Sequence, residues 1–387
     1  MKRRMLTAAA AVVLLMAGYS GFAQEEKKES KQEVKAANSE SISLSGRVQL
    51  QHLYTDQFES DGTVTNYGFR MRRVRLRTDA KLTPFVSARV EFDVRDNSPV
   101  LKDAFGKIKL FENYNLRGGQ FKVPVWREEY IRSSGELLLV ERSPVADFLA
   151  LMLLSARQVG AEFGGNVTKQ LSFAINYNNG AGEGIHELAR RKESTLTVNG
   201  VRVNNVNNGK MLVGRIDFNP GKQLQLGISA AVNYIGNEIA SFDSLGNKTG
   251  VKNTRGQNSV IAPDLGIYLP MGVDVEAGAA FGTITKNYLN TKDDVDFTGF
   301  DITGRWKTKL QNASANLGGL DGFEFAAGVS YLDTDFDLVG ERLVVRAGPA
   351  FYFGKRTRLQ VNGEYVEPTN EEEDNILRLR SQITVNL

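Results

Sequence analysis

Apolar and polar residues alternate with a period of two along most of the chain from residue 42 to the C-terminus. In the segment 86–94, Val86, Val90 and Phe92 share one face, whereas Arg89 and Glu91 share the other. The same alternation recurs at 171–177, 224–232, 323–331, 343–353 and 359–365. Because successive side chains of a β-strand point to opposite faces, the pattern predicts half-buried strands, of which we count about 16.

The connections between these segments alternate in length. The short ones cover residues 82–84, 168–170, 219–222, 269–272 and 354–356, and the long ones cover 57–65, 124–156, 181–210, 236–258 and 367–374. The connection 311–321 is long where a short one is expected. Short periplasmic turns and long outer loops alternate in this way when an even number of antiparallel strands closes into a barrel. The sequence therefore predicts an all-β transmembrane antiparallel barrel of about 16 strands over residues 42–387.

The alternative fold is a soluble all-β protein such as a sandwich or a propeller. Propeller blades would repeat every 40 to 50 residues, roughly, and the sequence contains no such period. The last strand ends the chain with Ile383, Val385 and Leu387 on one face, as in the terminal assembly strand of outer-membrane barrels, although an aromatic last residue is more usual. These features favour the membrane barrel.

The N-terminus has the pattern of a secretory signal peptide. Lys2, Arg3 and Arg4 precede an apolar run, and residues 21–23 form a small-x-small cleavage pattern. We predict a signal peptide at 1–23, a flexible periplasmic leader at 24–41 and the barrel at 42–387, in the outer membrane of a Gram-negative bacterium. A short helix is the alternative for the leader.

Removing the predicted signal peptide leaves a neutral chain, because the 48 Lys and Arg fall by three to match the 45 Asp and Glu. The protein has no cysteine, and His52 and His186 are its two histidines. Thiol chemistry is therefore excluded, and we predict no cofactor, no metal site and no enzymatic activity. His52 falls on the lipid-facing phase near a rim and His186 in a long loop, so neither is placed as a catalytic base.

Five arginines occupy residues 69–79, which read FRMRRVRLRTD. An arginine on the lipid face near the membrane centre costs about 2–4 kcal/mol, so these side chains must face the lumen. Strict alternation cannot place Arg70 and Arg72 on the same face as Arg73, Arg75 and Arg77. A one-residue β-bulge at Arg72–Arg73 would do so.

The same phase argument predicts a basic lumen in a neutral chain. Basic side chains that line a narrow pore favour anions, and guanidinium groups bind phosphate or carboxylate in bidentate pairs. The alternative is that many of these arginines pair with lumen acids such as Glu91, Glu162 and Glu364. The predicted anion pore-lining residues are Arg70, Arg72, Arg73, Arg75, Arg77, Arg89, Arg117, Arg346, Arg378 and Arg380.

The connection 124–156 is too apolar for a loop in water, since it contains ELLLVE and FLALMLL. In general porins the third loop folds into the barrel and narrows it, and this segment follows the fifth predicted strand. We predict an inward-folded third loop that brings Arg127, Arg132 and Arg142 towards the lumen. Packing at a subunit interface or over the barrel mouth is the alternative.

Several stretches resemble, in order, the landmarks of the phosphate-selective porin O and P family. They are FRMRRVRL at 69–76, ARVEFDV at 88–94, LKDAFGKIKL at 101–110, LRGGQFKVPVWREE at 116–129, VERSPVADFLA at 140–150 and QVGAEFGG at 158–165. The resemblance implies a 16-stranded outer-membrane barrel, a homotrimer, that passes anions along inward arginines and a lysine-containing constriction. It places Arg70, Arg72, Arg73 and Arg75 on the family's arginine-rich second strand, and Lys122 and Arg127 at the entrance to the third loop.

The sequence thus predicts a passive diffusion channel for small anions, phosphate or polyphosphate among them. The neutral mature charge keeps a general or weakly selective porin open, and a structural barrel without conductance is a third possibility. Expected partners are small anions such as phosphate, outer-membrane lipid, the barrel-assembly machinery and further copies of the chain. Nucleic acid is not an expected partner.

Overall fold

The structure is a computed structural model, and it does not describe every residue of the chain. The described residues are 32–34, 41–56, 67–95, 98–183, 195–198, 201–204, 209–236, 238–242, 248–253, 255–289, 291–314, 317–334, 343–368 and 374–387. The predicted signal peptide, most of the predicted leader and His186 lie outside these ranges.

Within the described ranges the chain forms 21 strands and three short helices. The strands are β1 (Gln32–Val34), β2 (Ser41–Thr55), β3 (Tyr67–Lys81), β4 (Val86–Asp93), β5 (Val100–Leu110), β6 (Tyr114–Lys122), β7 (Arg157–Asn166), β8 (Leu171–Asn178), β9 (Thr195–Val198), β10 (Val201–Asn204), β11 (Met211–Phe218), β12 (Leu224–Ile235), β13 (Glu238–Phe242), β14 (Lys248–Asn253), β15 (Gly256–Leu269), β16 (Val273–Ile284), β17 (Val295–Ser314), β18 (Leu320–Thr334), β19 (Leu343–Phe353), β20 (Thr357–Glu367) and β21 (Ile376–Asn386). The helices are α1 (Arg127–Tyr130), α2 (Pro144–Leu151) and α3 (Lys286–Leu289). No helix of the described chain is long and apolar enough to cross a membrane.

The large sheet closes on itself as a barrel. It contains 17 strands, and without the three-residue β1 these are the 16 barrel strands β2–β8, β11, β12 and β15–β21. Each barrel strand is antiparallel to its neighbours, and β21 pairs with β2 from Arg47↔Asn386 to Thr55↔Arg378. The predicted fold is confirmed. Inside the predicted leader, β1 pairs with β2 at Val34↔Ile42, and β9–β10 and β13–β14 form hairpins in two of the long connections.

The side chains of the barrel strands follow the predicted alternation. On β4, Val90 and Phe92 are 39% and 40% exposed on the outer face, whereas Glu91 and Asp93 are 8% and 6% exposed. Apolar side chains on the outside satisfy the lipid, and the polar ones share the interior. His52 lies on the outer phase, with its ring 4.7 Å from that of Phe69, which is 75% exposed.

Two β-bulges interrupt the alternation on neighbouring hairpins. In the β2–β3 pair, Gln49 lies opposite Arg73 and Leu50 opposite Met71, so Arg72 is the extra residue. The predicted bulge is therefore confirmed. A second bulge, which the sequence pattern does not predict, leaves Lys102 as the extra residue, because Glu91 lies opposite Asp103 and Phe92 opposite Leu101. Each bulge inserts one extra basic residue into its strand. The residues before and after it keep their pairing with the neighbouring strand and therefore their inward or outward direction.

Candidate functional site

The connection between β6 and β7, residues 123–156, lies inside the barrel, and we call it the inner loop. The hydroxyl of Ser143 caps α2 by accepting from the Ala146 amide at 3.2 Å. The Glu128 carboxylate accepts from the Ser143 amide at 2.9 Å and from its hydroxyl at 2.7 Å, which joins α1 to α2. These local contacts give the inner loop a fixed shape.

The apolar residues of the inner loop pack on the inner wall formed by strands β11, β12 and β15–β18. The Phe148 and Phe297 rings lie 4.8 Å apart. Glycines on the wall make room for this contact, since a Cβ at Gly278 would lie 2.9 Å from Trp126 Cη2 and one at Gly299 would lie 2.8 Å from Val145 Cγ1. The buried cluster includes Trp126, Val145, Phe148, Leu149 and Met152 of the loop and Val213, Ala262, Ala280, Phe297 and Leu332 of the wall. The inner loop and the wall thus share an apolar cluster that fills part of this side of the lumen.

Two wall arginines bind the backbone of the inner loop. Arg346 Nη1 donates to the carbonyl oxygens of Glu141 at 2.9 Å and Arg142 at 3.0 Å. Arg358 Nη1 donates to that of Leu137 at 2.8 Å. Arg346 is 2% exposed and also pairs with an acid of the wall, so this predicted pore-lining residue lies beneath the loop instead of facing open lumen.

Arg127 and Arg132 lie on the side of the inner loop that faces β15 and β16. Arg127 is 3.3 Å from Asp264 and 3.4 Å from Glu276. Arg132 is 2.9 Å from Glu276. The space beside them measures about 20 Å³, which holds about one water molecule. Both arginines lie in the interior, where acids of the wall neutralise them and the ion pairs attach the loop to the wall.

The Glu129 carboxylate contacts Lys122 and Arg142, the other two basic residues predicted for the constriction. Lys122 Nζ lies 3.2 Å from the Glu129 carboxylate and donates to the carbonyl oxygens of Glu129 at 2.5 Å and Arg132 at 3.1 Å. Arg142 also contacts the Glu129 carboxylate. Lys122 is therefore fixed at the base of the loop, whereas Arg142 extends to the remaining lumen.

Three arginines of β3 converge on one carboxylate of the inner loop. Arg72 donates to both oxygens of Glu141, at 2.5 and 2.9 Å. Arg70 and Arg73 approach the same carboxylate at 3.4 and 3.5 Å. Gln51 completes the set, with its Nε2 2.9 Å from Oε1. Three positive charges thus share a single negative one.

The space that remains between the inner loop and β3–β7 is a basic cavity of about 210 Å³. Its lining consists of Arg72, Arg73, Arg75, Asp93, Arg95, Val100, Lys102, Arg142, Arg157 and Glu183. Seven of these ten residues are basic and two are acidic. Arg72 and Lys102, the two bulged residues, both belong to this lining. The bulges therefore add two positive charges to the cavity between the inner loop and the wall.

Carboxylates in the lining and behind it hold several of its basic groups. Arg75 lies 3.1 Å from Glu91 and 3.5 Å from Asp93. Arg157 lies 2.6 Å from Asp103. Lys102 lies 2.6 Å from Glu183, which itself lines the cavity. The basic lining is thus built of fixed side chains, and its charge is partly compensated by acids within it and behind it.

The other predicted pore-lining arginines lie along the wall away from this cavity. Asp79 pairs with Arg77 at 2.8 Å and with Arg89 at 2.7 Å. Arg117 pairs with Glu162 at 2.6 Å. Arg380 pairs with Glu364 at 2.8 Å, and Arg378 lies opposite Glu364 in the β20–β21 register. The expected row of inward arginines exists, but much of it is paired with lumen acids, as the alternative interpretation held.

Glu141 and Asp147 of the inner loop have pKa values that are shifted in opposite directions. Burial opposes the charge of Glu141, but the hydrogen bond from Arg72 and the charges of Arg72 and Arg73 lower its pKa to about 2. The side chain of Asp147 is exposed to the lumen, yet it lies deep within the barrel. This burial and the carboxylates of Glu141 and Glu128 raise the pKa of Asp147 to about 6. Glu141 therefore stays ionised at neutral pH, whereas Asp147 titrates near it.

Sequence reasoning missed four residues of the site: Lys102, Glu141, Arg157 and Glu183. Lys102 falls on the outer phase until the bulge is known. Arg157 and Glu183 stand at the boundary of a strand and a loop, where alternation gives no direction. Glu141 lies within a motif that was recognised, but only the path of the inner loop brings it to β3.

The sequence profile of the phosphate-selective porin O and P family matches residues 42–258, more than half of the chain. No curated protein sequence matches significantly.

Solved structures show the same fold at low sequence identity. The outer-membrane channel DcaP of Acinetobacter baumannii has 13% identity and a TM-score of 0.60, covering 92% of this chain and 99% of DcaP. In-vitro folded OmpT of Vibrio cholerae has 10% identity and a TM-score of 0.61, covering 92% and 100%; a trimer form of OmpT matches as well. An anion-selective porin from Comamonas acidovorans has 10% identity and a TM-score of 0.57, covering 90% and 99%.

Proposed function

Because the chain belongs to the phosphate-selective porin O and P family and is thus a porin of the Gram-negative outer membrane, we propose that it is a passive diffusion channel for small anions. The observation that carries the proposal is the lining of the basic cavity, where seven basic residues face two acidic ones. A narrow passage with this lining attracts anions and repels cations. The anion selectivity stated for the porin from Comamonas acidovorans is consistent with this assignment.

Phosphate and polyphosphate are the anions whose chemistry suits the cavity best. Arg72, Arg73, Arg75, Arg142 and Arg157 supply planar guanidinium groups, which bind phosphate oxygens through paired hydrogen bonds. Several fixed guanidinium groups around one small cavity favour a multivalent anion over chloride. The proposed substrates are therefore phosphate first and polyphosphate second.

A weakly selective general porin is the second candidate, and a specific observation favours it. Much of the arginine row is held by acids at ion-pair distance, for example Arg117 by Glu162 and Arg380 by Glu364. Compensated charges exert little field on a passing ion. In that case the channel passes small solutes by size, with a modest anion preference from the cavity alone.

Reversal potentials in a planar bilayer across a potassium chloride gradient test the proposal. The wild type is expected to prefer chloride over potassium, and phosphate is expected to reduce the chloride current. The double variant Arg75→Gln/Lys102→Gln removes two charges from the cavity lining and is expected to lower the chloride-to-potassium permeability ratio by about five-fold or more.

Arg380→Gln is the matched control, because it removes a lumen arginine outside the cavity. A wild-type pore that is cation-selective, or that is unselective and indifferent to phosphate, would reject the anion channel. A folded barrel without any conductance would instead support a structural role.

We further propose that the working form is a homotrimer inserted in outer-membrane lipid by the barrel-assembly machinery, without cofactor, nucleic acid or catalytic activity. The trimer form of the structurally similar OmpT supports this assembly. Light scattering of the detergent-solubilised protein, corrected for bound detergent, measures the mass, and a monomer would contradict the proposal.

A further inference from the structure

The carboxylate of Glu141 is bound as a small oxyanion would be bound. Arg72 holds both of its oxygens in a bidentate pair, at 2.5 and 2.9 Å, Arg70 and Arg73 approach at 3.4 and 3.5 Å, and Gln51 donates at 2.9 Å. We call these four side chains the Arg70–Arg73 cradle. A cradle with three guanidinium groups carries more positive charge than one carboxylate compensates.

The inner loop does not depend on this carboxylate for its position. On either side of Glu141, Asn362 Oδ1 accepts from the Val140 amide at 2.6 Å and Arg346 donates to the Arg142 carbonyl at 3.0 Å. Arg346 also donates to the Glu141 carbonyl at 2.9 Å. The backbone is therefore anchored to β19 and β20, while the side chain alone reaches across to β3. The need to hold the loop in place therefore does not explain why the cradle has three guanidinium groups.

The cradle is also open to the lumen. Arg72 and Arg73 line the basic cavity on the side away from the loop anchors, and Arg72 remains 24% exposed in its side chain. An anion in the cavity thus reaches the same two guanidinium groups that hold Glu141. The loop carboxylate and the passing anion meet at one site.

From this geometry, and resting on the proposed function, we propose that Glu141 is an internal ligand that occupies an oxyanion-binding cradle and competes with permeating anions for it. The ligand class is a small multivalent oxyanion, either a phosphate or a dicarboxylate. Competition with Glu141 weakens the binding of each permeating anion. Weaker binding favours conduction, because a channel must bind an ion strongly enough for it to enter but weakly enough for it to leave. Glu141 thereby determines how strongly the pore retains oxyanions.

Glu141→Gln tests the proposal, because it keeps the size and polarity of the side chain but removes its charge. Chloride current through single channels is measured while phosphate or succinate is titrated in. We expect the half-blocking concentration to fall about ten-fold for at least one of them, since the freed guanidinium groups then bind the solute. The oxyanion with the larger fall identifies the preferred ligand as phosphate or dicarboxylate.

The matched control is Glu364→Gln, which removes one carboxylate that is paired with a lumen arginine outside the cradle. It makes the same change in net charge, and we expect no gain in blocking by either oxyanion. The double variant Glu141→Gln/Arg72→Gln is expected to lose the gain of the single one. Retained gain in the double variant, or an equal gain in the control, would overturn the proposal.

If Glu141→Gln instead releases the inner loop, potassium and chloride conductance rise together and neither half-blocking concentration falls. This outcome also overturns the proposal. A wild-type pore that prefers cations rejects the proposed function itself. A wild-type pore that prefers anions, with unchanged block in Glu141→Gln, rejects the internal ligand alone.

Discussion

Arg358 donates from Nη1 to the carbonyl oxygen of Leu137 at 2.8 Å, so a strand arginine that alternation assigns to the lumen serves as an anchor for the inner loop. Its Nη2 donates to the Leu138 carbonyl at 3.3 Å and contacts Glu324. With Arg346, it anchors the inner loop to β19 and β20. Arginines of the barrel wall thus hold the inner loop inside the lumen through its backbone carbonyls.

Replacing this anchor should widen the pore. Arg358→Met removes two hydrogen bonds from a charged donor, each of which contributes about 1.5–3 kcal/mol. We expect larger single-channel conductance for both potassium and chloride, together with a lower anion preference. Arg380→Met serves as the control, because Arg380 pairs with Glu364 of the neighbouring strand β20. Unchanged conductance in Arg358→Met would show that the remaining contacts hold the loop alone.

The part of the barrel wall on which the inner loop packs should tolerate little added volume. A Cβ at Gly278 would lie 2.9 Å from Trp126 Cη2, so Gly278→Ala is expected to destabilise the folded protein by about 1–3 kcal/mol. Gly106→Ala on the barrel wall meets no atom within 4 Å and should be close to neutral. Urea unfolding in lipid vesicles, followed by tryptophan fluorescence, measures both. Equal stabilities of the two variants would refute the close contact between the loop and β16.

The anion preference should rise as pH falls from 8 to 5. Asp147, with a pKa of about 6, loses its negative charge over this range, while Glu141, with a pKa of about 2, keeps its own. The charged groups around Asp147 are Glu128, Glu129, Glu141 and Arg142 of the inner loop and Arg72 of β3. Reversal potentials at each pH measure the change.

Asp147→Asn is the matched variant for this titration. It should show the low-pH preference at every pH and should lose the dependence between pH 8 and 5. A dependence that persists in Asp147→Asn would assign the titration to another group.

Glu141 contributes to stability over a different pH range. Since the folded pKa of Glu141 lies below its ordinary value of 4.5, the stabilisation from its ion pairs is complete above that pH and is lost as the pH falls towards 2.

The bulge on β3 predicts different outcomes for two single-residue deletions. Deleting Arg72 removes the extra residue, so Gln49 still pairs with Arg73 and Leu50 with Met71. The strand becomes regular, and the variant should fold. Deleting Val74 instead places Arg73 opposite Val48 on the lipid face, which costs about 2–4 kcal/mol near the membrane centre. Refolding yield in detergent, measured by heat-modifiable electrophoretic mobility, compares the two; equal yields would contradict the register.

The strand pattern determined the barrel, its size and the faces of most side chains, because alternation and loop parity are local properties of the sequence. The lipid cost of charge even located the bulge at Arg72, since five arginines had to face one way. By contrast, the bulge at Lys102 carried no such signal, because a single lysine near a strand end can reach water from either face. The apolar character of residues 124–156 predicted burial of the inner loop but not the wall on which it packs.

Sequence alone therefore determined that this protein is a barrel with arginines in its lumen, and tertiary structure decided which of those arginines serve the pore. Arg346 binds loop carbonyls, Arg127 pairs with Asp264, and Arg72 reaches the cavity while it holds Glu141. These roles depend on partners that lie 69 to 205 positions away in the chain. The charge of a lumen side chain is known from the sequence. The opposite charge that pairs with it comes within reach only when the inner loop folds into the barrel.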